Sequence, residues 1–187
     1  MPDDLSLYVS HLESLNLFET VSVSENDTAR TLQYKQEADR AEFKQRSNNV
    51  SDFLAGLSMV GKGEQFEPFY YSRIAQMTQR SNQFNLRTIR YSEQDISAIA
   101  KNSKYLPLYF TLKDAFGDYG LVSVVIIELR NGSEAFIDTW LMSCRVLKRD
   151  MEHYVLNLVV ERLKECGIVT VVGEYRETAK KNGGAFL

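Results

Sequence analysis

Three consecutive extended segments, residues 106–116, 121–130 and 134–144, precede an amphipathic helix over 150–166 and a short apolar run at 168–172. This order restricts the chain to a mixed α/β layer, an α+β arrangement of one sheet with helices against it. Asn131-Gly132 is a two-residue hairpin signal, because type I′ turns need left-handed backbone at both positions, so the second and third segments pair antiparallel. Gly117-Asp118-Tyr119-Gly120 reads as the tight turn between the first and second. The helix buries Met151, Tyr154, Val155, Leu158, Val159 and Leu163 and stops at Gly167. The run 168–172 is too short for a helix and reads as a buried strand, parallel to its predecessor if the helix is a crossover.

Upstream, the chain reads differently. Leu5, Val9, Leu12 and Leu15 share one helix face after Asp3 and Asp4, and Ala29, Leu32, Gln36, Asp39 and Phe43 belong to a longer, more polar helix. Arg46-Ser47-Asn48-Asn49 breaks it, and 50–57 form a short apolar turn of helix with Ser51 as its cap. These first residues cannot build a core alone, which sets a helical extension over 1–58 and a second domain over 59–187. After Gly61-Lys62-Gly63 the pattern changes: Pro68 opens a helix carrying Ile74 and Met77. A short strand is expected at 86–91, and Ser92-Glu93-Gln94-Asp95 starts a helix through Ile96, Ile99 and Ala100.

Composition excludes several functions. The 187 residues, 44% hydrophobic and 11% aromatic, suffice for one sizeable core. A net charge of −3 gives no basic footprint for nucleic acid. No apolar run has the roughly 18 residues that span a bilayer. Met1-Pro2-Asp3-Asp4 has neither the basic region nor the apolar stretch of a signal peptide, so no membrane contact and a cytoplasmic location are expected. Two cysteines, Cys144 and Cys166, and two histidines, His11 and His153, lack metal-ligand spacing, and no metal is expected.

The densest polar stretch is Thr78-Gln79-Arg80-Ser81-Asn82-Gln83-Phe84-Asn85-Leu86. Such residues compete with helix hydrogen bonds and favour caps and turns, so they either close a helix or hold a site. Asp118, between two glycines, either makes the turn itself or joins the polar stretch as a substrate-binding residue.

The order strand, helix, three antiparallel strands, helix, strand resembles the GNAT acyl-CoA N-acyltransferase fold. That resemblance implies a pantetheine arm between two splayed strands and its pyrophosphate at a helix N-terminus, where unpaired N–H groups face the anion. Here those elements are 134–144, the turn 145–150 and the helix after it. Four ordered motifs narrow the likeness: the polar stretch above, Phe116-Gly117-Asp118-Tyr119-Gly120-Leu121-Val122, Asp138-Thr139-Trp140-Leu141-Met142-Ser143-Cys144-Arg145-Val146-Leu147, and Gly173-Glu174-Tyr175-Arg176-Glu177-Thr178-Ala179-Lys180. Together they resemble the C-terminal half of FkbH-like proteins, the methoxymalonyl-biosynthesis members of the haloacid dehalogenase superfamily, over about residues 2–180.

The family implies a glyceryl transferase and phosphatase that leaves a glyceryl thioester on the phosphopantetheine arm of an acyl carrier protein. The phosphatase half needs a nucleophilic Asp with a second Asp two residues on, after a buried strand, and a magnesium ion. This chain has no such motif, so no phosphatase activity is expected of it alone, and a phosphatase half becomes a partner in any longer protein. The cofactor implied is the phosphopantetheine arm of a carrier, or coenzyme A. A non-catalytic carrier-docking module and a coenzyme A-dependent N-acyltransferase are the alternatives.

Two departures matter. Relatives read Arg-x-x-Gly-x-Gly before the long helix, whereas Lys148 and Asp150 occupy the glycine positions here. Asp150 is also a good N-cap, so the helix end either caps itself or binds phosphate from the rim through Lys148 and Arg149. Relatives also continue beyond Ala179-Lys180 into further strands. Those strands are expected to be absent, leaving 168–172 as an exposed edge suited to a homodimer contact.

On this resemblance Cys144 closes a strand beside the groove, and either packs as a small residue or carries a thioester. Cys166 reads as packing. His153 reads as solvent-exposed, and its nearness to Cys144 makes it the candidate base. Asn82, Gln83 and Asn85 would bond a glyceryl hydroxyl or pantetheine amides. Arg145 would pair with a phosphate or with Glu174, and Tyr175 and Trp140 read as core or groove wall.

Overall fold

The computed structural model describes residues 25–81, 83–130 and 132–176, in two compact units divided at residues 46 and 47. The expected helix around Leu5 to Leu15 lies outside the described residues. In the first unit α1, Glu25–Arg46, is the long polar helix, with Arg40 bonded to Glu37 at 2.9 Å and Arg46 to Glu42 one turn apart.

The second unit starts with α2, Val50–Gly56. Its cap is Asn49 and not Ser51: the Asn49 side chain accepts the Asp52 N–H at 2.8 Å, because Asn49 is extended and already stands outside the helix. Phe53 and Leu57 are buried, and the Leu57 carbonyl accepts the Ala115 N–H. Residues 47–57 therefore go with the second unit.

Then follow β1 (Val60–Gln65), a 3-10 turn (Pro68–Tyr70), α3 (Tyr71–Arg80), β2 (Phe84–Asn85) and α4 (Glu93–Lys101). The three long strands β3 (Tyr105–Asp114), β4 (Gly117–Leu129) and β5 (Glu134–Met142) come next, then a 3-10 turn (Cys144–Val146), α5 (Met151–Glu165) and β6 (Thr170–Gly173). The sheet order is β1-β3-β4-β5-β2, all antiparallel, with β6 added parallel to β5.

Apolar side chains fill both faces of the sheet. On one, Phe110, Val122, Val125, Trp140 and Met142 meet Met151, Val155, Val159 and Leu163 of α5. On the other, Tyr109, Leu121, Val124, Ile126 and Leu141 meet Ile74, Ala75 and Met77 of α3 and Ile96 and Ile99 of α4. The α4 start is the expected one: Ser92 accepts the Asp95 N–H while the Asp95 carboxylate takes the Ser92 N–H. Gly167, at φ +74°, ends α5.

Four elements differ from the sequence reading. The glycine-flanked stretch is a strand, β1, and its glycines are contact points: a Cβ on Gly63 would stand 2.6 Å from the Phe110 ring and 3.1 Å from Leu158. The turn between β3 and β4 lies at Ala115-Phe116, because the Asp114 carboxylate accepts both the Phe116 and Gly117 N–H groups at 2.9 Å. Gly117-Asp118-Tyr119-Gly120 consequently belongs to β4, where Tyr119 is the extra residue of a bulge between the Gly120–Leu112 and Asp118–Lys113 pairs. The strand expected at 86–91 is instead the two-residue β2, two positions earlier. β6 is exposed along its whole length and not buried.

Replacing Gly63 with Ala forces a methyl group against the fully buried Phe110. The variant is expected to lose about 1–3 kcal/mol of unfolding free energy in urea titration. An unchanged midpoint would mean that Phe110 and Leu158 yield freely.

Candidate functional site

β5 carries two different partners on one edge. Glu134 to Ile137 pair in parallel with Thr170 to Gly173 of β6; beyond Ile137 the two strands part. The gap is filled by the chain itself. Phe84 and Asn85 pair antiparallel with Met142 and Leu141, and the Leu86 N–H donates to the Trp140 carbonyl at 3.0 Å. From the far side the Arg176 N–H donates to the Leu86 carbonyl at 2.8 Å. Residues 84–87 thus lie as a short filler strand between β5 and the segment after β6.

Arg87 and Asp138 clamp this filler. Arg87 donates to Asp138 Oδ1 at 2.8 Å and stands 2.8 Å from Glu174 Oε2, with its guanidinium 4.9 Å from the Phe136 ring centre. The other oxygen of Asp138 accepts from the Tyr91 hydroxyl and from Thr139 at 3.0 Å. Burial, and then the bond to Asp138, push the Tyr91 hydroxyl far above its usual range, so it remains a donor. Thr78 Oγ1 takes the Tyr91 N–H at 3.0 Å, tying the end of α3 to the same cluster.

The polar stretch holds backbone. Asn82 lies outside the described residues, and Gln83 is exposed. Asn85 is buried with its amide satisfied internally: it donates to the Ser81 carbonyl at 3.1 Å and accepts the Thr88 N–H at 2.9 Å. Its amide thus braces the turn. Trp140 is core, edge-on to Phe84 at 5.4 Å, and Tyr175 is exposed.

The turn before α5 keeps an unusual backbone. Lys148 and Asp150 adopt φ of +63° and +60°. Side chains there cost about 1–2 kcal/mol per residue, so the turn holds left-handed geometry without the residue that favours it. Asp150 occupies the N-cap position but makes no capping bond, because its backbone is left-handed rather than extended. Glu152 supplies the carboxylate instead: it is buried and accepts the Lys148 N–H at 2.8 Å.

The remaining residues scatter. Arg149 is bonded to the Tyr119 hydroxyl and lies 3.9 Å from the fully buried Asp114 carboxylate, so it braces the β3–β4 turn. Asp118 pairs with Lys113 at 2.9 Å and accepts the Gly120 N–H. Strand β5 ends at Met142, so Cys144 opens the following 3-10 turn and is exposed, as is Cys166. His153 is exposed with Nδ1 3.6 Å from Asp150, and no hydrogen bond joins it to Cys144. Glu174 pairs with Arg87 and Arg176, not with Arg145, whose Nε faces Ser143 Oγ at 3.5 Å. Sequence reading missed Arg87, Tyr91 and Asp138, which no local spacing connects.

No family model matches the sequence, and none of the curated proteins does. Solved structures superpose on the chain. The aminoglycoside 6′-N-acetyltransferase of Acinetobacter baumannii superposes with a TM-score of 0.51 at 10% identity, over 65% of this chain and 83% of that one. A GNAT family acetyltransferase of Staphylococcus aureus gives 0.45 at 11% identity, over 68% and 93%. The glucosamine-6-phosphate N-acetyltransferase of Arabidopsis thaliana gives 0.46 at 11%, over 63% and 83%. The chain has the mixed sheet and flanking helices of the GNAT acetyltransferase fold.

The Glu174 carboxyl is held below its ordinary value by the Arg176 hydrogen bond, against burial, with Arg87 adding to the effect. A lowered carboxyl pKa stabilises the folded state above the unfolded value, and that contribution disappears as pH falls through the folded one. Moving from about pH 6 to about pH 3 is therefore expected to reduce the hydrogen-exchange protection factors of the Leu86 and Arg176 amides. Core amides such as Val125 should hold theirs. Equal loss at all three would show that the carboxylate does not secure the filler strand.

Proposed function

We propose that this chain is the acyltransferase-like, carrier-protein-facing domain of an acyl-transfer system, and that on its own it docks the carrier without transferring the acyl group. The fold supports the acyl-transfer class. The observation that carries the second half is the filled edge of β5. An arm with amide groups needs free backbone N–H and C=O groups to bond, and Leu86, Phe84 and Asn85 already use those of residues 140–142. At the α5 end the Lys148 N–H is taken by Glu152, and a buried carboxylate repels a pyrophosphate. In this arrangement the residues present do not fit coenzyme A.

The resemblance to FkbH-like proteins supplies the finer assignment: the acyl group is glyceryl, its destination is the thioester of an acyl carrier protein, and the phosphatase chemistry resides in a separate half. A coenzyme A-dependent N-acyltransferase would require residues 84–87 to leave the β5 edge and Glu152 to release Lys148.

Titrating the isotope-labelled chain with apo carrier, phosphopantetheinylated carrier and coenzyme A separates these readings by NMR. Docking predicts the same shifts with both carrier forms and none with coenzyme A. Saturating shifts of the Leu86 and Lys148 amides with coenzyme A would overturn it in favour of the N-acyltransferase.

A further inference from the structure

Helix α3 buries Ile74, Ala75, Met77 and Thr78, which leaves Arg73 and Arg80, two turns apart, on its exposed side. The chain leaving β5 comes alongside it. The Ser143 N–H donates to the Val122 carbonyl at 2.8 Å, extending the β5 pairing by one residue and setting Arg145 beside the helix. Between them lies a cleft of about 180 Å³ that Arg73, Arg80 and Arg145 line together with Gln76, Ser81 and Ser143. Its floor, Met77 and Leu121, lies towards the α3 and α4 face of the sheet, the face opposite α5.

The three guanidiniums share this cleft without a carboxylate. Among the described residues none of them forms an ion pair; Arg73 donates to the Gln76 amide oxygen, and Arg145 faces Ser143. Such a cluster is unusual in a chain whose net charge is −3. Burial and the neighbouring charges of Arg145 and then Arg80 hold the Arg73 guanidinium below its ordinary pKa, so the cations repel one another in place. Each guanidinium presents five N–H donors in a planar fork, most of them uncommitted here, and the two serines add hydroxyls. A monocarboxylate would leave this site strongly positive. A dianion with several oxygens matches both the charge and the number of donors.

We propose that Arg73, Arg80 and Arg145 form a binding site for a phosphoryl group, either inorganic phosphate or the end of a small phosphate monoester. The site is separate from the turn before α5, where Glu152 already occupies the amide, and it does not depend on the carrier reading. It also gives the region after β5 a use for Arg145 that Glu174, engaged elsewhere, does not provide.

Calorimetric titration of the full chain with inorganic phosphate and with methyl phosphate, at constant ionic strength set by chloride and with acetate as the monoanion, tests this. Saturable binding of phosphate is expected, with R73Q and R145Q each weakening it about tenfold or more. R162Q, on the far end of α5 and paired with Glu165, should leave it unchanged. Methyl phosphate binding as well as phosphate would assign a monoester end; exclusion of methyl phosphate would assign the free ion. A saturable response that R73Q and R145Q leave intact, an acetate affinity equal to that of phosphate, or no binding above the chloride background would each overturn the proposal. Circular dichroism and melting of the variants establish that they fold, since both side chains reach solvent.

Discussion

The backbone pairing of β5 is the interaction on which the rest of the structure depends. One edge is bonded to β4 along almost its whole length, which fixes the register of the sheet centre. The other edge is shared between β6 and β2, so a single strand decides where the sheet splits and what enters the split. Buried amides and carbonyls must find partners, and in this chain those beyond Ile137 find them in residues 84–87. The clamp of Arg87, Asp138 and Glu174 follows from that placement, since Asp138 sits at the point where β6 departs.

Charge is distributed by the same geometry. The turn before α5 retains left-handed backbone at Lys148 and Asp150, yet its amide is already held by Glu152. Among the described residues, arginines without ion pairs gather instead on the opposite face, between α3 and the residues after β5. An anion approaching this fold therefore meets a buried carboxylate at the turn before α5 on one side of the sheet and, among the described residues, a cluster of guanidiniums without ion pairs on the other.

Much of the architecture was legible because it is written locally. The helix start at Ser92, the glycine stop at Gly167 and the apolar stripe of α5 each lie within a few residues and appear as expected. The hairpin signal beside Gly132 likewise joins β4 to β5. The misses have equally specific causes. Gly61 and Gly63 hid β1, since their lack of side chains serves the packing of Tyr154, Leu158 and Phe110 rather than any pattern along the strand. Asp114 captured the turn that two glycines advertised three residues later. The site was less legible still: the separation of Arg87 from Asp138 leaves no periodic trace. The basic pair on α3 was readable as two arginines seven apart, but nothing in the spacing announced Arg145 as their third.

The clamp on the filler strand also has a temporal consequence. Its contacts join residues 51 and 47 positions apart, and contacts of long sequence separation close their loops late, after local hairpins and helices have formed. β4 and β5 are near neighbours in sequence, so the β5 edge is expected to form before residues 84–87 reach it. For that interval during folding the strand presents an open row of amides and carbonyls, and the first extended segment to arrive determines which sheet is completed.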